Sequence, residues 1–291
     1  MNITMLLEVK TRAPAKVNIG LRVLPRRDDG FHGIEGIFQT VGFYDDLTVR
    51  LLPEQDCCRI SCEGGVLPAC NTITAAYRAF CRLTGRHDGV QVALTKRIPA
   101  GGGLGGGSSD AAAFTRAFAR LTGVVPSVEL LDAVAAQVGS DVFFFMRCDE
   151  NGGAALVTGR GERVTPIAVR RGLHFVLVLP EVHSSTAEAY ALLDEMKEAG
   201  DKTCFPQLEE LTELYYGPLE GWTFANAFTL ALERKYPVIG DALADIRRSG
   251  AVWAEMTGSG ACVFGVYDSA VVAKSACRVL HKSWRRCVLA Q

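Results

Sequence analysis

The sequence predicts an α+β protein of two domains, with helices laid on one face of a sheet. Strand-like and helix-like stretches alternate through the first half of the chain. The second half opens on a strand near Leu173 and then reads helices, strand, glycine turn, strand, helix, strand. The boundary therefore falls between Pro166 and Leu173, giving domains 1–168 and 169–291.

In the first half, strands are predicted at residues 6–9, 16–23, 37–42, 46–51, 58–63 and 90–96, where apolar residues alternate or β-formers cluster. Asn71 caps a helix that runs to Leu83 and ends at Gly85. A helix over 111–121 follows a glycine run and takes Ser108 or Ser109 as its cap. Ser127 caps another, 128–138, ending at Gly139. Two strands, 154–157 and 164–166, flank a turn at Gly159-Arg160-Gly161-Glu162. In the second half, 174–180 is a buried strand, and Ser184-Ser185-Thr186 cap a helix over 187–199. Residues 201–221 read as a surface excursion. Helices at 226–235 and 239–249 precede the segment 254–256, a turn Thr257-Gly258-Ser259-Gly260 and a strand 261–267. A helix over 271–284 and a strand over 286–289 close the chain.

With 48% apolar and 22% charged residues and a formal net charge of -1, the chain has no basic excess to suggest nucleic acid and no polybasic stripe for a membrane. No stretch is long and apolar enough to predict a membrane span. The first eight residues lack a basic region followed by a cleavage site and read as a first strand rather than a signal peptide. Ten cysteines in such a chain read as reduced thiols of a cytoplasmic protein. Cys57, Cys58, Cys62 and Cys70 form a cluster, but zinc wants two closely spaced pairs. Cys70 has no second partner nearby, and Cys58, Ile60 and Cys62 alternate as small buried side chains of a strand would.

The most specific signal is the run Pro99-Ala100-Gly101-Gly102-Gly103-Leu104-Gly105-Gly106-Gly107-Ser108-Ser109-Asp110, with six glycines in seven positions. Each glycine costs backbone entropy on folding, so the run implies main chain curling closely around a ligand. Lying between a strand and a helix N-terminus, it forms an anion site for phosphate. It is not a Walker loop, because no lysine stands at the required place. Gly101, Gly103 and Gly106 satisfy the dinucleotide spacing, but the acidic residue expected about 20 positions on, at a second strand end, is missing. A flexible linker would not sit between a strand and a helix.

The residues 99–113 resemble the ATP loop of the GHMP small-molecule kinases, and two further segments resemble that superfamily's other signatures. These are Ala13-Pro14-Ala15-Lys16-Val17-Asn18-Ile19-Gly20-Leu21 and Met256-Thr257-Gly258-Ser259-Gly260-Ala261-Cys262-Val263-Phe264. Arg26-Arg27-Asp28-Asp29-Gly30-Phe31-His32-Gly33-Ile34 with Phe38-Gln39, the run Gly139 to Phe145, and Gly159 to Glu162 are similar to the branch whose acceptor is a diphosphocytidyl methylerythritol. The resemblance implies an N-terminal domain like the second domain of ribosomal protein S5 and a ferredoxin-like C-terminal domain. It implies ATP and Mg²⁺, a small cytidine diphosphate substrate, and a monomer or weak homodimer. Homoserine- or mevalonate-type kinases lack the Gly30-Phe31-His32 segment. A non-catalytic sensor on the same fold would tend to lose the catalytic aspartate or the loop.

By resemblance Asp141 is the catalytic aspartate, either a base for the acceptor hydroxyl or a charged partner of Lys16. Lys16 would stabilise the developing alkoxide. Asn18 alternates with Lys16 on one strand face and would hold substrate hydroxyls. Phe31 and His32 would grip the cytosine ring. Phe31 stands where the family usually has tyrosine, and Gly33 where a larger residue is expected. Phe143 replaces an expected proline, and the segment around Asn226 lacks acidic residues common in relatives. Pro99, Ala100, Gly101, Gly102, Gly103, Leu104, Gly105, Gly106, Gly107, Ser108 and Ser109 would hold ATP, with Ser108 or Ser109 on Mg²⁺ and with Asn71 and Lys96 at the adenine.

Overall fold

The computed structural model describes residues 7–149, 151–200 and 203–290. The chain divides into two compact units that interleave in sequence: residues 1–15, 44–99 and 105–152 form one, and 16–43, 100–104 and 153–291 the other. Two long strands, β1 (Glu8–Arg26) and β2 (His32–Gln55), run from one unit into the other. Each replaces two shorter strands expected from sequence. β1 carries Pro14 within the strand without a break, and it pairs with β2. In β2 the aromatic residues Phe43 and Tyr44 carry the extended backbone across the expected gap. The start of the expected first strand, at residue 6, lies outside the described residues.

In the first unit, β2 pairs antiparallel with β4 (Asp88–Thr95) over Asp46 to Gln55, and β4 pairs parallel with β3 (Cys58–Glu63). A parallel pair needs a crossover, and α1 (Thr72–Thr84) supplies it. Asn71 caps α1 through a reciprocal pair of bonds with Thr74, and Gly85 ends it in the left-handed conformation. Helices α2 (Gly106–Thr122), α3 (Val128–Val138) and α4 (Ser140–Met146) complete this unit. Phe118 packs 5.2 Å from Phe80 and 5.5 Å from Phe114 and Tyr77, ring centre to ring centre, so α1 and α2 share an aromatic core.

The start of α2 differs from expectation. Its N-cap is Gly105, left-handed at φ +70°, with no side-chain cap bond. Ser108 and Ser109 lie inside the first turn. The helix begins within the glycine run, so its first N–H groups are open to an external acceptor. Cys58 and Cys62 lie on the half-buried face of β3 rather than in a core, and Cys70 is exposed. Among the described residues no group of three or more His, Cys, Asp or Glu is placed to hold a metal ion.

In the second unit, β2 pairs antiparallel with β5 (Ala154–Thr158) over Gly36 to Gln39, and β5 with β6 (Arg163–Ile167). A second sheet contains β7 (His174–Val178), β8 (Trp253–Met256), β9 (Val263–Tyr267) and β10 (Cys287–Ala290). Its order is β10-β7-β9-β8, antiparallel throughout, which is the ferredoxin-like arrangement. The helices are α5 (Thr186–Glu198), α6 (Leu211–Tyr216), α7 (Thr229–Lys235), α8 (Pro237–Arg248) and α9 (Ala270–Leu280). Ser185 caps α5 by accepting from Glu188 N.

The expected surface excursion at 201–221 is in part core. Residues 201 and 202 lie outside the described residues, but Tyr215 on α6 is fully buried and its hydroxyl donates to Gln39 Oε1 at 2.6 Å. The helix expected from Asn226 starts at Thr229; the Asn226 amide donates to Met256 O and Gly258 O, and its oxygen accepts from Phe228 N. Among the described residues no helix is long and apolar enough to cross a membrane.

Candidate active site

A lysine inside an apolar strand must find partners for its ammonium, because an unpaired buried charge is costly. Lys16 on β1 is 3% exposed. Its Nζ donates to Asn18 Oδ1 at 2.7 Å and sits 5.1 Å from the centre of the Phe38 ring. The two-residue spacing on the strand puts both side chains on one face, as the sequence predicts. Asn18 is also tied to the Met256–Thr257–Gly258 segment: its backbone N–H donates to Thr257 Oγ1 at 3.1 Å, and Thr257 Oγ1 lies 3.0 Å from Asn18 Oδ1.

The same segment touches the first part of the glycine run. Thr257 Oγ1 lies 3.2 Å from Gly103 O, and Cys262 N donates to Gly102 O at 3.3 Å. Gly103 is left-handed at φ +74°, and a Cβ there would run into Thr257 O. Glycine is required at this position twice over, by conformation and by approach. Lys16 N donates to Leu104 O at 2.9 Å, which fixes the run against β1. Asn226 Nδ2 donates to Met256 O and Gly258 O, both at 2.8 Å, so this asparagine shapes the turn after β8. The sequence placed the three glycine and lysine segments separately; the fold of the second unit joins them.

In the first unit, the rest of the run leads into α2 beside a buried charge cluster. Lys96 Nζ donates to Asp110 Oδ2 at 2.8 Å and also to Asp45 Oδ2. Asp45 is fully buried, and its other oxygen accepts from Arg97 N and from Ile98 N, the latter at 2.8 Å. Burial, aided by the Asp45 carboxylate, pushes the Asp110 carboxyl up to about 7, while the Lys96 ammonium opposes the shift. Burial works to lower the Lys96 value, but Asp110 and Asp45 outweigh it and raise it. Neither aspartate was singled out from sequence. Asp45 carried a signal, since it falls in phase with Leu47 and Val49, both buried, on one face of β2.

The two serines separate by burial. Ser108 is half-exposed, whereas Ser109 is 1% exposed and its hydroxyl has no partner among the described residues. Asn71 engages its amide locally, accepting from Thr74 N at 3.0 Å and donating to Pro68 O at 3.1 Å. Asp141 is half-buried in the first turn of α4, where a carboxylate is favoured by the open N–H groups of the helix start.

The aromatic residues expected to grip a base lie in the second unit. Phe31 is half exposed, and the Arg160 guanidinium stands 3.7 Å from its ring centre. His32 is buried. Its Nδ1 donates to Leu24 O at 2.9 Å, since a carbonyl oxygen can only accept, and its Nε2 lies 3.3 Å from Asp194 Oδ2. Tyr190 stacks on His32 with ring centres 5.1 Å apart. Tyr190 and Asp194, one turn apart on α5, were not singled out; their spacing alone gives no sign of a partner more than a hundred residues away.

Sequence comparison matches residues 71–148 to the GHMP kinases N terminal domain and residues 217–286 to the GHMP kinases C terminal domain. A 4-diphosphocytidyl-2-C-methyl-D-erythritol kinase of Treponema pallidum is 40% identical over 283 residues, covering 95% of this chain and 96% of the relative. One of Thermotoga maritima is 40% identical over 265 residues, covering 87% and 90%. A crystal structure of 4-(cytidine 5'-diphospho)-2C-methyl-D-erythritol kinase is similar with a TM-score of 0.79 at 29% identity, covering 97% of this chain and 98% of its own. A homoserine kinase from Cytophaga hutchinsonii shares the fold, with a TM-score of 0.72 at 21% identity and coverage of 100% and 96%. With its glycine run opening α2, its ferredoxin-like second sheet and this likeness along nearly its whole length, the chain belongs to the 4-diphosphocytidyl-2-C-methyl-D-erythritol kinase family of the GHMP kinases.

Proposed function

We propose that the chain transfers the γ-phosphoryl group of ATP to the 2-hydroxyl of 4-diphosphocytidyl-2-C-methyl-D-erythritol, a step of non-mevalonate isoprenoid precursor synthesis. The observation that carries this reading is 40% identity over 95% of the chain to a relative of that name. The geometry agrees with it. Open backbone N–H groups of residues 105–107 at the start of α2 suit the phosphates of ATP. A tertiary alcohol is a weak nucleophile, and phosphoryl transfer depends on positioning and on charge stabilisation. Asp141 takes the acceptor proton as the new P–O bond forms. The buried Lys16 ammonium stabilises the oxygen as it gains charge, and Asn18 orients the acceptor's hydroxyls. Phe31 offers a flat face for stacking on cytosine.

Lys96 is assigned to the adenine side of the nucleotide, held by its two aspartates, and Asn71 to the same region. Ser108 or Ser109 would hold Mg²⁺ together with phosphate oxygens, and the buried, unpartnered Ser109 hydroxyl fits that use. When bound, the ion neutralises phosphate charge. We also assign a division at residues 168 and 169, a monomer or weak homodimer, and a cytoplasmic setting without nucleic-acid or membrane partners.

The test is turnover with ATP and Mg²⁺ against the cytidyl methylerythritol substrate, methylerythritol phosphate, homoserine, mevalonate and galactose. ADP release with the first alone is expected. Turnover with a different acceptor would keep the phosphotransferase and remove the substrate assignment. ATP binding without turnover of any acceptor would favour a sensor.

A further inference from the structure

Thr257 is fully buried on the turn after β8, and its hydroxyl takes part in more bonds than a turn requires. Its oxygen accepts the Asn18 backbone N–H at 3.1 Å, so its own proton is free for another acceptor. Two acceptors are in reach, Asn18 Oδ1 at 3.0 Å and Gly103 O at 3.2 Å. Bonding to Asn18 through both its backbone and its side chain closes a ring that fixes the asparagine's rotamer.

The orientation of the Asn18 amide follows from chemistry. Lys16 Nζ can only donate, so the atom 2.7 Å from it must be the amide oxygen. With Thr257 donating to Oδ1, the nearer of its two acceptors, that oxygen holds two donors and is saturated. Nδ2 is then left as a two-proton donor on a residue that is 1% exposed, and it has no protein partner among the described residues. A buried amide N–H₂ without a partner is costly unless something supplied on binding accepts from it.

We propose that Thr257 is a positioning residue for the acceptor substrate: it locks the Asn18 side chain so that Nδ2 is presented to a hydroxyl oxygen of a polyol. This rests on the reading of Asn18 as an acceptor-binding residue and adds what holds it. The β-branched side chain contributes, because its restricted χ1 keeps the hydroxyl aimed at Asn18. Replacing it with valine keeps the shape but leaves the Asn18 N–H unpaired and Oδ1 with one donor.

The test is steady-state kinetics on the full chain with the cytidyl methylerythritol acceptor, for the parent, Thr257→Val, Thr257→Ser and Asn18→Ala. Thr257→Val should raise the KM for the acceptor about tenfold, the size of one lost hydrogen bond, and leave the KM for ATP within about twofold. Thr257→Ser, which restores the hydroxyl, should return the acceptor KM to within about threefold of the parent. In an Asn18→Ala background, Thr257→Val should add less than about twofold, since a residue acting through Asn18 has nothing left to position. Should Thr257→Val fail to fold, Thr257→Ala set against Thr257→Ser carries the same comparison.

A rise in the ATP KM instead would show that Thr257 acts through Gly103 and the glycine run, and would overturn the proposal. Equal losses in the valine and serine variants, or multiplying effects in the double variant, would also overturn it. A parent that turns over no acceptor removes the functional reading itself, whereas an active parent with an unaffected Thr257→Val removes only this inference.

Discussion

Lys16 sits in an apolar strand, yet it cannot be exchanged for a hydrophobic residue if its ammonium stabilises charge on the acceptor oxygen. Lys16→Met keeps the length and burial of the side chain, and Asp141→Asn keeps the shape of the carboxylate. Each is expected to lower kcat by about 10²-fold or more, the range for a positioned acid–base or charge-stabilising group. The check is steady-state turnover beside a thermal melt, so that loss of chemistry is separated from loss of fold. Glu255, on β8, gives a prediction about pH. It is buried, and its carboxylate accepts from Thr229 Oγ1 at 2.7 Å, from Met256 N at 2.8 Å and from Asn226 N at 3.3 Å. Burial outweighs these bonds and raises its value above the ordinary 4.5. As pH rises past that ordinary value, the unfolded chain releases the proton while the native state retains it, so this residue's contribution to stability falls. Glu255→Gln should therefore gain stability over the parent at pH about 8 relative to pH about 4, read as the change in Tm difference between the two conditions.

The helix starts set the local chemistry at the scale of elements. α1 closes its N-terminus with the Asn71–Thr74 box and leaves few open N–H groups. α2 does the opposite, beginning on left-handed Gly105 without a side-chain cap. One helix start closes its own donors with a side-chain box, and the other leaves them open. Asn71→Ala should cost about 1 kcal/mol in urea unfolding, the usual worth of such a cap. If Asn71 serves only as a cap, the KM for ATP stays unchanged; a rise would support its assignment to the adenine side. The strands show how far local pattern reaches. Cys58–Glu63 was legible to the residue, because its alternation is clean and its ends are marked. β1 and β2 each span two of the expected strands, because the continuity of a long strand is set by its pairing partners, which local pattern does not show.

The molecule as a whole brings distant segments into register. Gln39 on β2 meets Tyr215 on α6, 176 positions away, and Asn18 meets Thr257 across 239. Such long-range pairs make the second unit depend on both ends of the chain. A ligand that binds the native state alone stabilises it by mass action, by about 2.7 kcal/mol at a hundredfold excess over Kd. A nonhydrolysable ATP analogue with Mg²⁺, and separately the cytidyl acceptor, should each raise Tm by several degrees in a differential scanning experiment. An unrelated polyol without the cytidine diphosphate should leave it unchanged.

Sequence by itself determined the class of fold, the capped helices α1, α3 and α5, the glycine run ahead of α2, and the placing of Lys16 and Asn18 on one strand face. These follow from short-range rules: strand period, cap chemistry, and the special backbone of glycine. Only the tertiary structure decided that Asp45 and Asp110 share Lys96, that Tyr190 and Asp194 flank His32, and that Thr257 holds both Asn18 and Gly103. Each of these contacts joins residues whose separation along the chain carries no periodic signal. A buried charge or amide takes its partner from whatever element the fold packs against it, so these partners became visible only once the packing was known.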